Sequence, residues 1–241
     1  MERSCERALE IGLPAIAFTD HADFVRVHED QHSVDIAGYL DEVERCRAKF
    51  RNLRIYSGVE LGEPHWFPEE TARILAAGPL DQVLGSVHCI KLGGEILDAS
   101  QLRGRADIDF SDAVRRYFRE VQVMIDAGLP FETLAHLDYP KRYWPEGARY
   151  REQDFEVEIR AILAAAARTG RVLEVNTTRG RVLCPDLTVV RWWREAGGQA
   201  VQYGSDAHDP EKIAEGFQVA TQMVEAAGFK PATDPVSLWR R

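Results

Sequence analysis

Apolar and polar positions follow two alternating rhythms along the chain. Short apolar runs rich in β-branched residues, at 15–19, 54–60, 82–88, 132–136, 172–176 and 200–204, predict buried parallel strands. Between them apolar residues recur every three or four positions. Within 36–50 these are Ile36, Tyr39, Leu40, Val43, Cys46 and Phe50, the spacing of one helix face. The stretches 68–77, 110–127, 154–169, 187–196 and 211–226 repeat that rhythm, and Gly128 and Gly170 supply stops after two of them. Strands alternating with helices over the whole length predict an α/β fold with a parallel sheet, closed as a barrel or doubly wound. No linker or low-complexity stretch interrupts the pattern, so residues 1–241 read as a single domain. The chain opens inside a helix, about 3–10, closed by Gly12. The count is therefore six strands where a closed barrel has seven or eight.

Composition narrows the class of function. With 45% hydrophobic and 29% charged residues, the 241-residue chain has the makeup of a globular domain. No run approaches the roughly 18 apolar residues of a membrane span, and the opening MERSCERALE is too polar for a signal peptide. Cys5, Cys46, Cys89 and Cys184 lie far apart without a CxxC pair, which argues against a zinc knuckle or disulfide framework and for a reduced, cytoplasmic setting. A net charge of −9 disfavours nucleic acid as a partner and leaves room for a small anionic substrate met by local positive charge. Nothing in the sequence sets an oligomeric state.

The chemistry concentrates at strand ends. Of seven histidines, four sit at or just past the C-terminal end of an expected strand: His21, His88, His136 and His208. Glu60 ends another, and Asp206 precedes His208 by two. In parallel α/β folds ligands gather at this rim. A lone histidine there is more often structural, but five of six strands ending this way is hard to obtain from packing, because unpaired imidazole and carboxylate are costly to bury. The set suits Zn, Mn or Fe. His28 and His32 read as surface residues on the loop after His21. His65 is open between substrate contact and plain loop. Cys89 reads as packing, because neighbours on a strand face opposite ways.

The ordered motifs GLPAIAFTDH, YSGVEL, LGSVH, AHLDYPKRY, LEVNTT and GSDAH, spread over residues 4–218, resemble the PHP (polymerase and histidinol phosphatase) superfamily, and more narrowly its monofunctional histidinol-phosphatase branch. The resemblance implies a distorted (β/α)7 TIM-like barrel with a di- or trinuclear centre hydrolysing phosphomonoesters. It casts Glu60 as a bridging carboxylate, His88 and His136 as completing one metal, and His21 and His208 as serving another. Asp206 would ligate or bridge metal near the nucleophilic water, and His208 or His21 would protonate the leaving alkoxide. The family's opening strand, with a His-x-His pair and a third histidine soon after, has no counterpart here. The first strand is thus expected to be missing from this chain, with fewer than the family's two to three metals. Truncation of a longer protein and degeneration of the motif are the two explanations, and the intact remaining motifs favour truncation.

A phosphate dianion calls for forked donors. Arg142 and Arg181 are the positions onto which the family's phosphate contacts fall. Asp20 and Asp138 flank ligand histidines and could orient an imidazole or cap a helix. Glu63, Glu29 and Asp30 would give the rim an acidic side for a cationic substrate. Three functions follow: a metal-dependent histidinol-phosphatase of histidine biosynthesis, a PHP phosphoesterase with another small substrate, or a barrel too depleted to catalyse.

Overall fold

The computed structural model of the chain describes residues 1–25 and 33–241. Six parallel strands form one curled sheet in the order β1 (Ala15–Ala22), β2 (Arg54–Gly62), β3 (Gln82–Ser86), β6 (Thr133–Leu134), β7 (Val172–Asn176) and β8 (Ala200–Gly204). A short antiparallel hairpin, β4 (Cys89–Leu92) and β5 (Glu95–Asp98), stands apart after β3. The last strand, β9 (Trp239–Arg240), runs antiparallel to the start of β8.

The helices form where the rhythm places them: α1 (Glu2–Glu10), α2 (Ile36–Lys49), α3 (Pro68–Ala76), α4 (Phe110–Asp126), α5 (Glu156–Arg168), α6 (Leu187–Glu195) and α7 (Phe217–Ala226). Local chemistry fixes their starts. Asp35, Asp109 and Asp186 each accept a backbone N–H from the first turn of α2, α4 and α6, and Pro68 opens α3. The last helix is shorter than expected because Pro210–Lys212 forms a separate 3-10 turn ahead of it.

Two apolar cores hold the sheet. The larger packs α4, α5 and α6 against one side through Val121, Ile159, Trp193 and their neighbours. The smaller packs α1 and α2 against the outside of β1 and β2 through Cys5, Val43, Cys46 and Ile55. The Tyr39 hydroxyl is buried between the two strands: it donates to the Phe18 carbonyl at 2.7 Å and accepts the Gly58 N–H at 2.8 Å.

Among the described residues β1 pairs only with β2, and β8 pairs with β7 and, at Ala200 and Val201 alone, with β9. The sheet is therefore a half-barrel with an open seam between β1 and β8. The two edges converge at their C-terminal ends, where the His21 and His208 rings lie 5.8 Å apart. Below them the seam encloses about 600 Å³, lined by Ala17, Thr19, Glu60, Glu174 and Gln202 among others. The six parallel strands are those the apolar runs predict, and they curl into a half-barrel.

Candidate metal centre

Register builds the site. The β1–β2 pairing sets His21 directly beside Glu60. His88 lies two residues past β3 and His136 two past β6, so four ligand-type side chains arrive at one rim from four adjacent strands. Asp206 and His208 follow β8 and meet them from across the seam.

At the closed side of the rim, one oxygen of Glu60 lies 2.7 Å from His136 Nε2 and 3.1 Å from His88 Nε2. The two Nε2 atoms face each other at 3.3 Å. Tetrahedral bonds of about 2.0–2.1 Å would set donors roughly 3.3–3.4 Å apart, so the two imidazoles are spaced for a shared ion while Glu60 stands closer, at hydrogen-bond distance. Asp23 Oδ1 lies 3.3 Å from His88 Nδ1, which turns the Nε2 lone pair inward. Asp23 Oδ2 is 3.1 Å from His21 Nδ1. Two overlapping groups bring ligand atoms within 4.8 Å of one another: His21 with Glu60 and His88, and His21 with Asp206 and His208. Imidazoles and carboxylates sharing lone-pair space on a largely buried rim fit a divalent transition metal better than any internal pairing.

The charges respond to this crowding. Burial alone would raise Glu60, but His21 and His136 hold it well below the usual carboxylate range. His21 is raised to about 9, chiefly by Glu60. Burial opposes the charged form of His88, yet Asp23 and then Glu60 carry it well above its usual value. His136 goes the other way, lowered by burial despite Glu60. Glu174 is pushed up to about 7 by burial; it accepts the His136 backbone N–H at 2.8 Å, which takes that group out of the strand ladder and ends β6 early.

The mouth above the ligands is a cavity of about 140 Å³ that also takes in Asp98, Tyr139, Tyr143, Arg142 and Arg179. Tyr139 packs its ring 5.0 Å from both His88 and His136. Arg142 is buried, donates from Nη1 to Asp206 at 2.6 Å and lies over the Tyr139 ring. Its Nε and Nη2 have no protein partner. Arg181 does not reach the cavity. It is exposed and turned back on the Thr178 carbonyl, 3.4 Å from its Nε, while Arg179 occupies the place expected for it. The cause is the left-handed turn at Thr178 (φ 48°) and Arg179 (φ 56°), which reverses which side chain faces the rim.

Other expected residues fall elsewhere. His65 is buried against α4, with Nε2 3.0 Å from Glu120, away from the rim. Glu63 is buried and accepts the backbone N–H groups of His88 and Cys89, so it fixes the turn below His88. Asp138 caps no helix; it is fully buried 3.7 Å from Lys141. Asp20 lines the seam. Cys89 is buried packing, as expected. His28, His32, Glu29 and Asp30 lie outside the described residues. Asp23, Glu174 and Arg179 were not singled out from sequence. Of these only Asp23 leaves a signal, the two-residue spacing from His21 that shares a strand face.

A half-barrel of parallel strands whose C-terminal rim gathers imidazoles and carboxylates defines a metal-binding α/β barrel. The chain belongs to the PHP domain family, whose model matches residues 1–178. It is 28% identical over 235 residues to histidinol-phosphatase of Lactococcus lactis, covering 92% of this chain and 83% of that one. It is 26% identical over 221 residues to a probable histidinol-phosphatase of Clostridium acetobutylicum, covering 90% and 83%. The fold superposes on the crystal structure of the Lactococcus lactis histidinol phosphate phosphatase complexed with zinc, L-histidinol and phosphate. That match has a TM-score of 0.77 at 22% identity and covers 94% of this chain and 86% of that one. A putative histidinol phosphatase from Listeria monocytogenes matches with a TM-score of 0.71 at 19% identity, covering 90% and 92%. Among the described residues no helix is long and apolar enough to cross a membrane.

Proposed function

We propose that the chain is a metal-dependent phosphomonoesterase of histidine biosynthesis whose substrate is L-histidinol phosphate. The observation that carries this reading is the convergence of Glu60, His88 and His136 with His21, Asp206 and His208 beneath a mouth holding two arginines. The likeness to histidinol-phosphatases over most of both chains supports the substrate. Glu60, His88 and His136 would hold one ion, and His21, Asp206 and His208 would contribute to another. Divalent ions at such a site lower the pKa of bound water towards about 7 and neutralise phosphoryl oxygens.

The chain's own residues supply the rest. Asp23 keeps the His88 ring oriented. Arg142 pins Asp206 at the rim through Nη1, while its Nε and Nη2 are buried without a protein partner. His208 directs Nδ1 onto the Asp206 carbonyl at 3.0 Å, which leaves the Nε2 lone pair as the donor that would reach an ion. Asp98, buried at the mouth, accepts the Ser100 N–H at 2.7 Å and would set its negative charge near a cationic head group.

The test is release of inorganic phosphate from a substrate panel by the zinc- or manganese-loaded chain. L-Histidinol phosphate should give the highest kcat/KM, above sugar and nucleotide monophosphates. Preference for another small phosphomonoester would keep the chemistry and reject the substrate. No phosphate release from any ester would favour a barrel that binds without turning over.

A further inference from the structure

Resting on the metal-dependent reading above, we infer that Glu63 and Glu174 are positioning residues. Each clamps from behind one of the two histidines that face each other across the rim, and the pair sets the centre's affinity for its ion. Both act on the backbone and not on the imidazole. Glu63 accepts the backbone N–H groups of His88 and of Cys89, the latter at 2.8 Å. Glu174 accepts the backbone N–H of His136 at 2.8 Å. The carbonyls of the same two histidines are held as well, His88 by the Ala99 N–H at 3.0 Å and His136 by the Tyr139 N–H at 2.8 Å. Each ligand is thus fixed on both sides just past the end of its strand, where the ladder no longer holds it. The two Nε2 atoms come to stand 3.3 Å apart.

Both clamps are costly in stability, and the chain keeps them where the ligands are. Glu63 is 1% exposed and Glu174 4%, and burying a carboxylate to meet an N–H costs more than burying a neutral acceptor. Glu63 also holds a left-handed backbone, φ 43°, which a residue with a Cβ adopts only at a cost. Its own N–H stays tied to the Ser86 carbonyl at 3.0 Å, at the end of β3. Glu174 needs room on the neighbouring strand, because a Cβ at Gly204 would collide with its Oε1. Its Oε2 also takes the Asn176 side-chain N–H at 3.2 Å, and Asn176 Oδ1 accepts the Thr178 N–H at 2.8 Å. One carboxylate therefore ties His136 to the loop that reaches the mouth. A strand end needs no such device. Metal ligands do, because affinity falls steeply when the groups that orient them slacken.

Zinc affinity of the folded chain, read by competition with a chromophoric chelator, tests this without turnover. It should fall about 10- to 100-fold in Glu63→Met and in Glu174→Met, which keep the side chain's length and lose the acceptor. Glu63→Gln and Glu174→Gln keep an acceptor oxygen and should recover most of that loss. Glu132 is the control: its side chain accepts the Val83 N–H at 2.9 Å at the N-terminal end of β6, away from the rim. Glu132→Met should bind zinc like the parent chain. Clamps that served stability alone would lower the melting temperature in all three methionine variants and leave the affinity of each unchanged. Should a methionine variant fail to fold, hydrogen exchange in the metal-free parent chain decides. There the His88 and His136 amides should exchange as slowly as those inside β2 and β3. Parent-like affinity in folded Glu63→Met or Glu174→Met, an equal loss in Glu132→Met, or fast exchange of either amide would overturn the assignment and leave the phosphomonoesterase reading intact. A parent chain that binds no zinc would overturn both.

Discussion

At the scale of residues, the site is a set of groups held in protonation states they would not choose in water. His21 and His88 are both raised, to about 9 for His21 and well above the ordinary value for His88. Glu63 and Glu174 are raised to about 7 by burial. In each case the folded pKa lies above the unfolded one, so each group stabilises fully below its unfolded pKa and that contribution is lost as pH rises through the folded value. The depressed Glu60 and Asp23 titrate only in acid and do not interfere. The metal-free chain should therefore lose thermal stability between about pH 4.5 and 9, the two glutamates accounting for the part up to about 7 and the histidines for the rest, with Glu174→Gln flattening the lower part. Excess zinc should reverse the trend, since ions bind the deprotonated donors and add stability by mass action. A metal-free melting temperature that holds level or climbs across this window would show that these groups are not coupled as the geometry indicates.

At the scale of elements, the seam between β1 and β8 is the least supported part of the sheet. Among the described residues the outer edge of β1 has no strand partner, and β9 covers β8 only at Ala200 and Val201. We expect that fusing a strand with a His-x-His pair ahead of α1, joined by a flexible linker, raises the melting temperature by several degrees and increases metal content. An unchanged melt would mean that the half-barrel is self-sufficient. Much of this arrangement was legible in the sequence because strand and helix periods differ and because His21, Glu60, His88 and His136 interrupt apolar runs at their ends. The hairpin of β4 and β5 was missed although Gly93-Gly94 signals it; both have positive φ, 59° and 88°, which a tight hairpin turn requires. Glu174 was invisible because a carboxylate in an apolar run looks like an ordinary strand residue until its partner, the His136 N–H on the next strand, is known. Arg179 and Arg181 could not be ranked because a loop's handedness, which decides between them, has no period.

At the scale of the whole molecule, an acidic chain of net charge −9 nevertheless sets two arginines, Arg142 and Arg179, at the mouth over the ligand cluster. The half-barrel provides this by bringing four adjacent strand ends into contact and curling until Asp206 and His208 close over them. Everything else proposed for the chain depends on Glu60, His88 and His136 holding an ion. Metal analysis of the purified chain by plasma emission tests that most directly. The account predicts about one tightly held transition-metal ion per chain, lost in a folded His88→Ala variant and kept in Arg179→Gly. Metal at background in the parent chain after exposure to zinc or manganese, or an unchanged content in His88→Ala, would contradict it.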